Sequence, residues 1–189
     1  TALYFAPYAR KYYAIEPSRA CFEALKLNTK GMDNIEYFNF AISPKNGQDY
    51  LLQPKEDSAP QTFFYDGSIH GRELVECKKI DQFFEEENIE HVDVLKIDVE
   101  SSEFVILPDD SFGKVAPKID LIIGEAHYNP RGEGIPEIIP VILKEWGFKT
   151  EFVNLKQPNF EYKFWFTQED GKKKEYNYQC STIFVARRK

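Results

Sequence analysis

The amino-acid sequence predicts one α/β domain built on a mostly parallel β-sheet. Patterns typical of strands and helices alternate through the first half of the 189 residues, the order that places helices on the faces of a parallel sheet. Residues 92–100 form a nearly continuous apolar run, as expected for a strand that is covered on both faces. No linker-like segment divides the chain, so a single domain spanning residues 1–189 is expected.

Glu16 ends the first predicted strand, residues 12–16, because Pro17 prevents that strand from continuing cleanly. Ser18 then provides an N-cap for the predicted helix 19–28. A carboxylate at a strand end can accept hydrogen bonds from two neighbouring hydroxyl groups, as the acidic residue of dinucleotide-binding folds does with a ribose. Glu16 is therefore a candidate ribose-binding residue, with Pro17 beside it.

The remaining elements follow from the same periodicities and turn signals. A strand over 35–41 follows the first helix, and a turn-rich stretch with a short strand at 49–53 comes next. The other predicted helices are 81–88, with Asp81 as N-cap, 103–107 and 136–146, and the other predicted strands are 119–125, 148–155 and 176–187.

Two of the later strands end in groups that could take part in a reaction. Asp98 ends the run 92–100, while Glu125 ends the strand 119–125 and His127 follows it. Ligands of open α/β sheets bind beyond the carboxyl ends of the strands, so these three are candidate site residues. Because imidazole titrates near neutrality, His127 is the candidate general base, and a loop histidine bound to a carbonyl is the alternative.

Five segments together resemble the FkbM family of S-adenosylmethionine-dependent methyltransferases. The resemblance implies a Rossmann-like methyltransferase fold, a three-layer sandwich whose sheet is mostly parallel with an antiparallel closing strand. It also implies S-adenosylmethionine as the cofactor. The segments, in the family's order, are YAIEPS (13–18), FEALKLN (22–28), IEYFNFAIS (35–43), IDQFF (80–84) and DVLKIDVESSE (93–103).

The sequence departs from the family pattern in two places. Ser101 and Ser102 stand where the family has Gly-Ala, and serine adopts a left-handed backbone less readily than glycine does. The family's first strand and its glycine-rich turn have no counterpart, and that strand lies between those ending in Glu16 and Asp98. A sheet without it has two unpaired apolar edges, so we expect the polypeptide to continue upstream. The alternative is a degenerate protein that no longer binds the cofactor.

The resemblance implies further assignments at the site. Ala41 and Ile42, at the end of the strand after Glu16, are expected to line the adenine. Asp98 would orient the acceptor, act as base or bind the cofactor's amino group, and Glu125 would orient His127 or contact the acceptor. Asp98, Glu125 and His127 could also ligate a metal, but the ligand pattern of metal-dependent methyltransferases is not evident and no metal is predicted. Glu100 is a weaker candidate, and Glu103 is expected to cap the following helix.

The composition limits the range of partners. A net charge of −7 argues against nucleic acid, and no apolar segment is long enough to cross a membrane. Three widely separated cysteines favour a reducing, cytoplasmic location. The predicted function is therefore O-methylation of a hydroxyl on a saccharide or another small natural product. The alternatives are a non-catalytic methyltransferase-like binding or assembly module and, less favoured, a nicotinamide-dependent dehydrogenase.

Overall fold

The computed structural model describes residues 1–54, 69–127, 136–153, 161–167, 173–179 and 181–188. The chain divides into two compact units, Thr1–Asn88 and Ile89–Lys189. These are units of packing within the chain, so the expectation of a single domain stays a prediction. None of the described helices is long and apolar enough to cross a lipid bilayer.

The first unit contains three helices and two small sheets among its described residues. Its strands β1 and β2 pair in parallel, and β5 lies between β3, which is parallel to it, and β4, which is antiparallel. The elements are α1 (Ala2–Phe5), β1 (Tyr12–Ile15), α2 (Arg19–Asn28), β2 (Ile35–Phe38), β3 (Ala41–Ile42), β4 (Gly47–Pro54), β5 (Ile69–Lys78) and α3 (Ile80–Glu86), with a 3-10 turn at Ala6–Tyr8.

Aromatic packing joins α3 to the β1–β2 pair. Phe83 is buried, and its ring meets the rings of Tyr13, Phe38 and Phe40 with centroids 5.9, 4.9 and 5.5 Å apart. Such edge-to-face contacts add to the free energy gained by burying the rings. Phe84 is also buried, so both aromatic side chains of α3 contribute to the core.

The second unit is built around a four-stranded sheet in the order β6–β7–β11–β8. Strands β6 and β7 are parallel, whereas β11 is antiparallel to both of its neighbours, and β9 and β10 form a separate hairpin. The elements are β6 (Val92–Ile97), α4 (Glu103–Ile106), α5 (Asp110–Val115), β7 (Ile119–His127), α6 (Ile139–Glu145), β8 (Phe148–Val153), β9 (Glu161–Thr167), β10 (Lys173–Gln179) and β11 (Ser181–Arg188), with 3-10 turns at Ala116–Lys118 and Pro136–Ile138.

The antiparallel closing pair is confirmed, but the expectation of one mostly parallel sheet is wrong. Within the described ranges, β1 pairs only with β2 and β6 only with β7, so no strand joins the two parallel pairs. As the edge strand of its sheet, β6 is also less covered than a central strand. Val94 is 46% exposed, contrary to the continuous burial that the apolar run predicts.

Gly124 fixes the close approach of β7 to β11 just before the site residues of β7. It pairs with Phe184, and a Cβ at this glycine would lie only 2.0 Å from the Phe184 ring. The ring is fully buried together with Ile122 and Ala126 of β7. A glycine here therefore lets the Phe184 ring cover the strand that carries Glu125 and His127.

Candidate active site

Glu16 lies directly after β1, and backbone contacts hold its position. Its amide donates to the carbonyl of Phe38 at 3.0 Å, and its Oε1 accepts from the backbone N–H of Ser18 at 2.9 Å. Burial raises the pKa of Glu16, the Ser18 hydrogen bond lowers it, and the charge of Glu73 raises it. Oε2 accepts no hydrogen bond from the described residues. The carboxylate is thus half-buried and oriented, with one oxygen left for a ligand.

Asn39 supports the same strand end, a role that the sequence did not predict. Its amide nitrogen donates to the carbonyls of Glu16 at 2.8 Å and of Pro17 at 3.0 Å. Ser18 begins α2 as expected, but its buried hydroxyl makes no cap bond and has no partner among the described residues. The available signal was an asparagine inside the predicted strand 35–41, because asparagine is depleted in strands.

Ala41 and Ile42 do not extend the strand that follows Glu16. That strand ends at Phe38, and the two residues form β3, which pairs with Cys77 and Lys78 of β5. Ala41 is buried in a small core with Leu51, Val75 and Cys77. The chain leaves β2 at Asn39, whose side chain binds the neighbouring strand end instead of continuing the ladder. The strand assignment is wrong, and the adenine contact stays a prediction.

The second unit brings Asp98, Glu125 and His127 together. Asp98 follows β6, and the other two residues lie on the same face at the end of the neighbouring parallel strand β7. From Nε2 of His127, the nearest carboxylate oxygens of Asp98 and Glu125 lie at 3.8 and 3.9 Å. The two strand ends thus bring the three side chains to one edge of the sheet, and their roles as site residues stay a prediction.

Glu100 and Glu103 complete this cluster, and the sequence assigned them only minor roles. A Glu100 oxygen lies 3.4 Å from Nε2 of His127, and Oε1 of Glu103 lies 3.0 Å from Nδ1. Burial alone would lower the pKa of His127. The hydrogen bond to Glu103 and the charges of Glu103, Glu100 and Asp98 outweigh burial and raise the pKa above its ordinary value. The surrounding carboxylates therefore stabilise the charged imidazolium relative to that of an ordinary histidine.

Glu103 is the most deeply buried member of the cluster. Its side chain is fully buried, and Oε1 also accepts from the backbone N–H of Val99 at 2.9 Å. The expectation that Glu103 caps the following helix is wrong: Ser102 is the N-cap of α4, its side chain makes no cap bond, and Glu103 is the first helical residue, whose side chain reaches back to the preceding turn.

The pKa of the Glu100 carboxyl group is shifted toward neutral pH. Burial raises its pKa to about 6, with the charge of His127 lowering it and those of Asp98, Glu103 and Glu125 raising it. A carboxylate that titrates near the working pH can take up and release a proton efficiently.

Replacing Glu100 by glutamine is expected to stabilise the fold more at neutral pH than in acid. The pKa of Glu100 in the folded protein lies above the ordinary value of 4.5. Ionisation of Glu100 therefore lowers the stability of the wild-type protein as the pH rises from 4.5 through about 6. The gain in the unfolding free energy of the glutamine variant should approach about 2 kcal/mol above pH 7 and disappear below pH 4.5. Urea unfolding at several pH values would measure it, and a gain that is independent of pH would contradict the assigned burial.

The turn between Asp98 and α4 is strained. Glu100 and Ser101 have φ of 50° and 76°, in the left-handed region that glycine enters most easily. Ser101 is the position at which the resembled family has glycine, so the departure noted in the sequence falls on a residue that needs glycine's freedom. Strain of this kind persists where the surrounding structure holds it, often beside a functional site.

Replacing Ser101 by glycine is expected to stabilise the protein by about 0.5–1 kcal/mol, because it relieves the left-handed strain at a partly offsetting entropic cost. The neighbouring Ser102→Gly variant is the control, since Ser102 has a right-handed backbone with φ of −74°. Denaturant unfolding of both variants would measure the effect. Equal changes at the two positions would show that the backbone at Ser101 is not strained.

A lysine also reaches the cluster. Nζ of Lys96 lies 3.0 Å from a carboxylate oxygen of Asp98. Asp98, Glu125 and His127 each offer a donor atom within 4.8 Å of the others, close enough to share a metal ion. The absence of a catalytic metal therefore stays a prediction.

A known protein family matches most of this chain. The methyltransferase FkbM domain matches residues 2–150, which is well over half of the chain. The chain belongs to the FkbM methyltransferase family. No curated protein sequence matches this FkbM-family methyltransferase.

Two solved structures are similar at the level of the chain path. One is a proposed RNA methyltransferase, PH1948 of Pyrococcus horikoshii, with 12% identity, a TM-score of 0.44 and coverage of 95% of this chain and 62% of that one. The other is the precorrin-6y C5,15-methyltransferase of Geobacter metallireducens, with 11% identity, a TM-score of 0.44 and coverage of 94% and 67%. Likeness this low carries no weight for the substrate, and the FkbM assignment rests on the family match alone.

Proposed function

We propose that this FkbM-family methyltransferase transfers the methyl group of S-adenosylmethionine to a hydroxyl oxygen of a saccharide or another small natural product. The observation that carries the proposal is the group of carboxylates around Nε2 of His127, at the end of the parallel pair β6–β7. A hydroxyl must lose its proton as its oxygen is methylated, and such a group can accept that proton.

The residues of the first unit fit the ribose half of the cofactor. Glu16 offers a half-buried carboxylate whose Oε1 is held by Ser18 and whose Oε2 accepts nothing from the described residues. Vicinal ribose hydroxyls donate to such a carboxylate. When bound, S-adenosylmethionine supplies the methyl group on a sulfonium that is already a good leaving group. The protein therefore has to bind, orient and deprotonate the acceptor.

The cluster in the second unit divides these tasks. Asp98 and Glu125 accept hydrogen bonds from the acceptor and orient its hydroxyl. Glu100 and His127, whose oxygen and Nε2 are 3.4 Å apart, take up the hydroxyl proton as a pair. Lys96 holds the Asp98 carboxylate in place through their 3.0 Å ion pair. When the pair consists of a neutral imidazole and a carboxylate, one added proton converts it to an imidazolium–carboxylate ion pair. Uptake of the proton therefore creates no isolated charge.

Calorimetric titration with S-adenosylhomocysteine tests the cofactor half of the proposal. Binding with one site per chain is expected. If neither this chain nor a version extended upstream binds S-adenosylhomocysteine or S-adenosylmethionine while both are folded, the enzyme assignment is contradicted and a non-catalytic binding module is favoured. Circular dichroism of the same sample establishes that the protein is folded.

A further inference from the structure

The side chain of Glu103 makes two contacts through the same oxygen. Oε1 accepts the backbone N–H of Val99 at 2.9 Å and lies 3.0 Å from Nδ1 of His127. Oε2 is buried and has no hydrogen-bond partner among the described residues. The carboxylate is thus withdrawn from solvent and faces the imidazole from the side opposite the other carboxylates.

A purely structural role would not require a charge at this position. One backbone N–H is satisfied by any neutral oxygen, whereas a buried carboxylate is costly unless it faces a cation. Among the described residues, the imidazole of His127, 3.0 Å from Oε1 of Glu103, can supply this cation. A fully buried carboxylate paired to the back of a histidine ring determines which nitrogen carries the proton.

We propose that Glu103 is a positioning residue that keeps a proton on Nδ1 of His127, so that Nε2 is the nitrogen that exchanges a proton at the site. The inference rests on the proposed function for its role in turnover. An ionised Glu103 can only accept, so Nδ1 must be the donor in their hydrogen bond.

The charged groups around the ring agree with this assignment. Nε2 faces Asp98 from the end of β6, Glu100 from the following turn and Glu125 from β7. Glu103, at the start of α4, is the carboxylate on Nδ1, and Lys96 reaches the cluster through Asp98. Proton exchange at Nε2 therefore occurs on the side of the ring where an acceptor hydroxyl could contact Asp98 and Glu125. Nδ1 meanwhile keeps its proton in the hydrogen bond to Glu103.

The test is nitrogen NMR of protein labelled with 15N-histidine, which reads the tautomer without requiring activity. Neutral His127 should be in the Nδ1–H form, and His91 serves as an internal comparison because it is exposed and contacts Asp93 and Asp120 through Nε2. A neutral His127 with its proton on Nε2 would overturn the proposal. So would Mg²⁺ or Mn²⁺ binding directly to Nε2 in the same spectra.

Glu103→Gln is the informative variant, because its amide oxygen can keep both hydrogen bonds of Oε1 while the charge is lost. The tautomer should persist, the pKa of His127 should fall, and kcat should drop about 10- to 150-fold with little change in KM, the loss expected for a hydrogen bond to a charged group. Wild-type pH dependence and kcat in this variant would overturn the proposal and leave only a structural role. Glu103→Ala, if it folds, should also mix the tautomers.

The two proposals fail in different ways. If no variant or wild-type protein transfers methyl groups, the proposed function is contradicted, while the NMR result still supports or overturns the pairing of Glu103 with His127. If methyl transfer occurs but the tautomer is wrong, the function stands and the positioning role is overturned.

Discussion

Replacing His127 by alanine is expected to lower kcat for methyl transfer by about 10²- to 10⁴-fold, the range typical of losing a general base. The change removes the group that shares the proton with Glu100, and it also removes a positive charge that lowers the pKa of Glu100. At neutral pH more of Glu100 would then be protonated and unable to accept a proton. Single-turnover rates at saturating S-adenosylmethionine would measure the loss.

His91→Ala is the matched control for this variant. His91 also contacts two carboxylates, those of Asp93 and Asp120, but its side chain is 56% exposed and the neighbouring acids are exposed as well. Its removal should leave the rate unchanged. Equal losses in the two histidine variants would mean that neither reports on the active site, and an unchanged rate in His127→Ala would remove the imidazole from the reaction.

Replacing Glu16 by alanine is expected to weaken S-adenosylhomocysteine binding about 10- to 150-fold, since hydrogen bonds to a charged group contribute about 1.5–3 kcal/mol. The fold should survive, because Asn39 holds the Glu16 and Pro17 carbonyls through the backbone. Calorimetry would give the affinity of each variant. Glu16→Gln should fall between wild type and alanine, as it keeps one acceptor without the charge.

Glu23→Ala is the control for the cofactor site. Glu23 lies on α2, within a few residues of Glu16, and its side chain is 63% exposed. Its removal should leave the affinity unchanged. If Glu16→Ala binds S-adenosylhomocysteine as tightly as wild type does, the ribose assignment is wrong, even though the carboxylate sits at the end of a strand.

The sequence could predict the parts of the site that depend on strand ends. Apolar runs locate strands, and parallel strands bring their carboxyl ends to one edge, which is why Asp98, Glu125 and His127 were expected together and are found together. Helix α2 has the predicted bounds because Pro17, Ser18 and a helical apolar pattern coincide there.

The roles of Glu100 and Glu103 could not be predicted in the same way. They depend on a turn with two consecutive left-handed non-glycine residues, which the residue types disfavour. Only that turn sets Glu100 against Nε2 and lets Glu103 reach back to Val99 and the ring. Side chains placed by irregular backbone are not encoded in hydrophobic periodicity.

The mistaken strand assignments have a similar origin. The pattern at 35–41 continues through Asn39, but the asparagine amide binds the carbonyls of the adjacent strand end, and Ala41 joins another sheet. Strand β5 was not predicted, because its residues 69–78 mix charged and apolar side chains without a clear period. Its pairing with β4 over eight residue pairs compensates for the weak local signal.

The most direct test of the proposed O-methylation is transfer from 13C-methyl-labelled S-adenosylmethionine to a panel of saccharides and small hydroxylated compounds. Wild-type protein should give a product whose labelled carbon has the chemical shift of an ether methyl group, and His127→Ala should give almost none. A labelled product with the methyl group on nitrogen or carbon would contradict O-methylation. Equal product from wild type and His127→Ala would contradict the role of the cluster around His127.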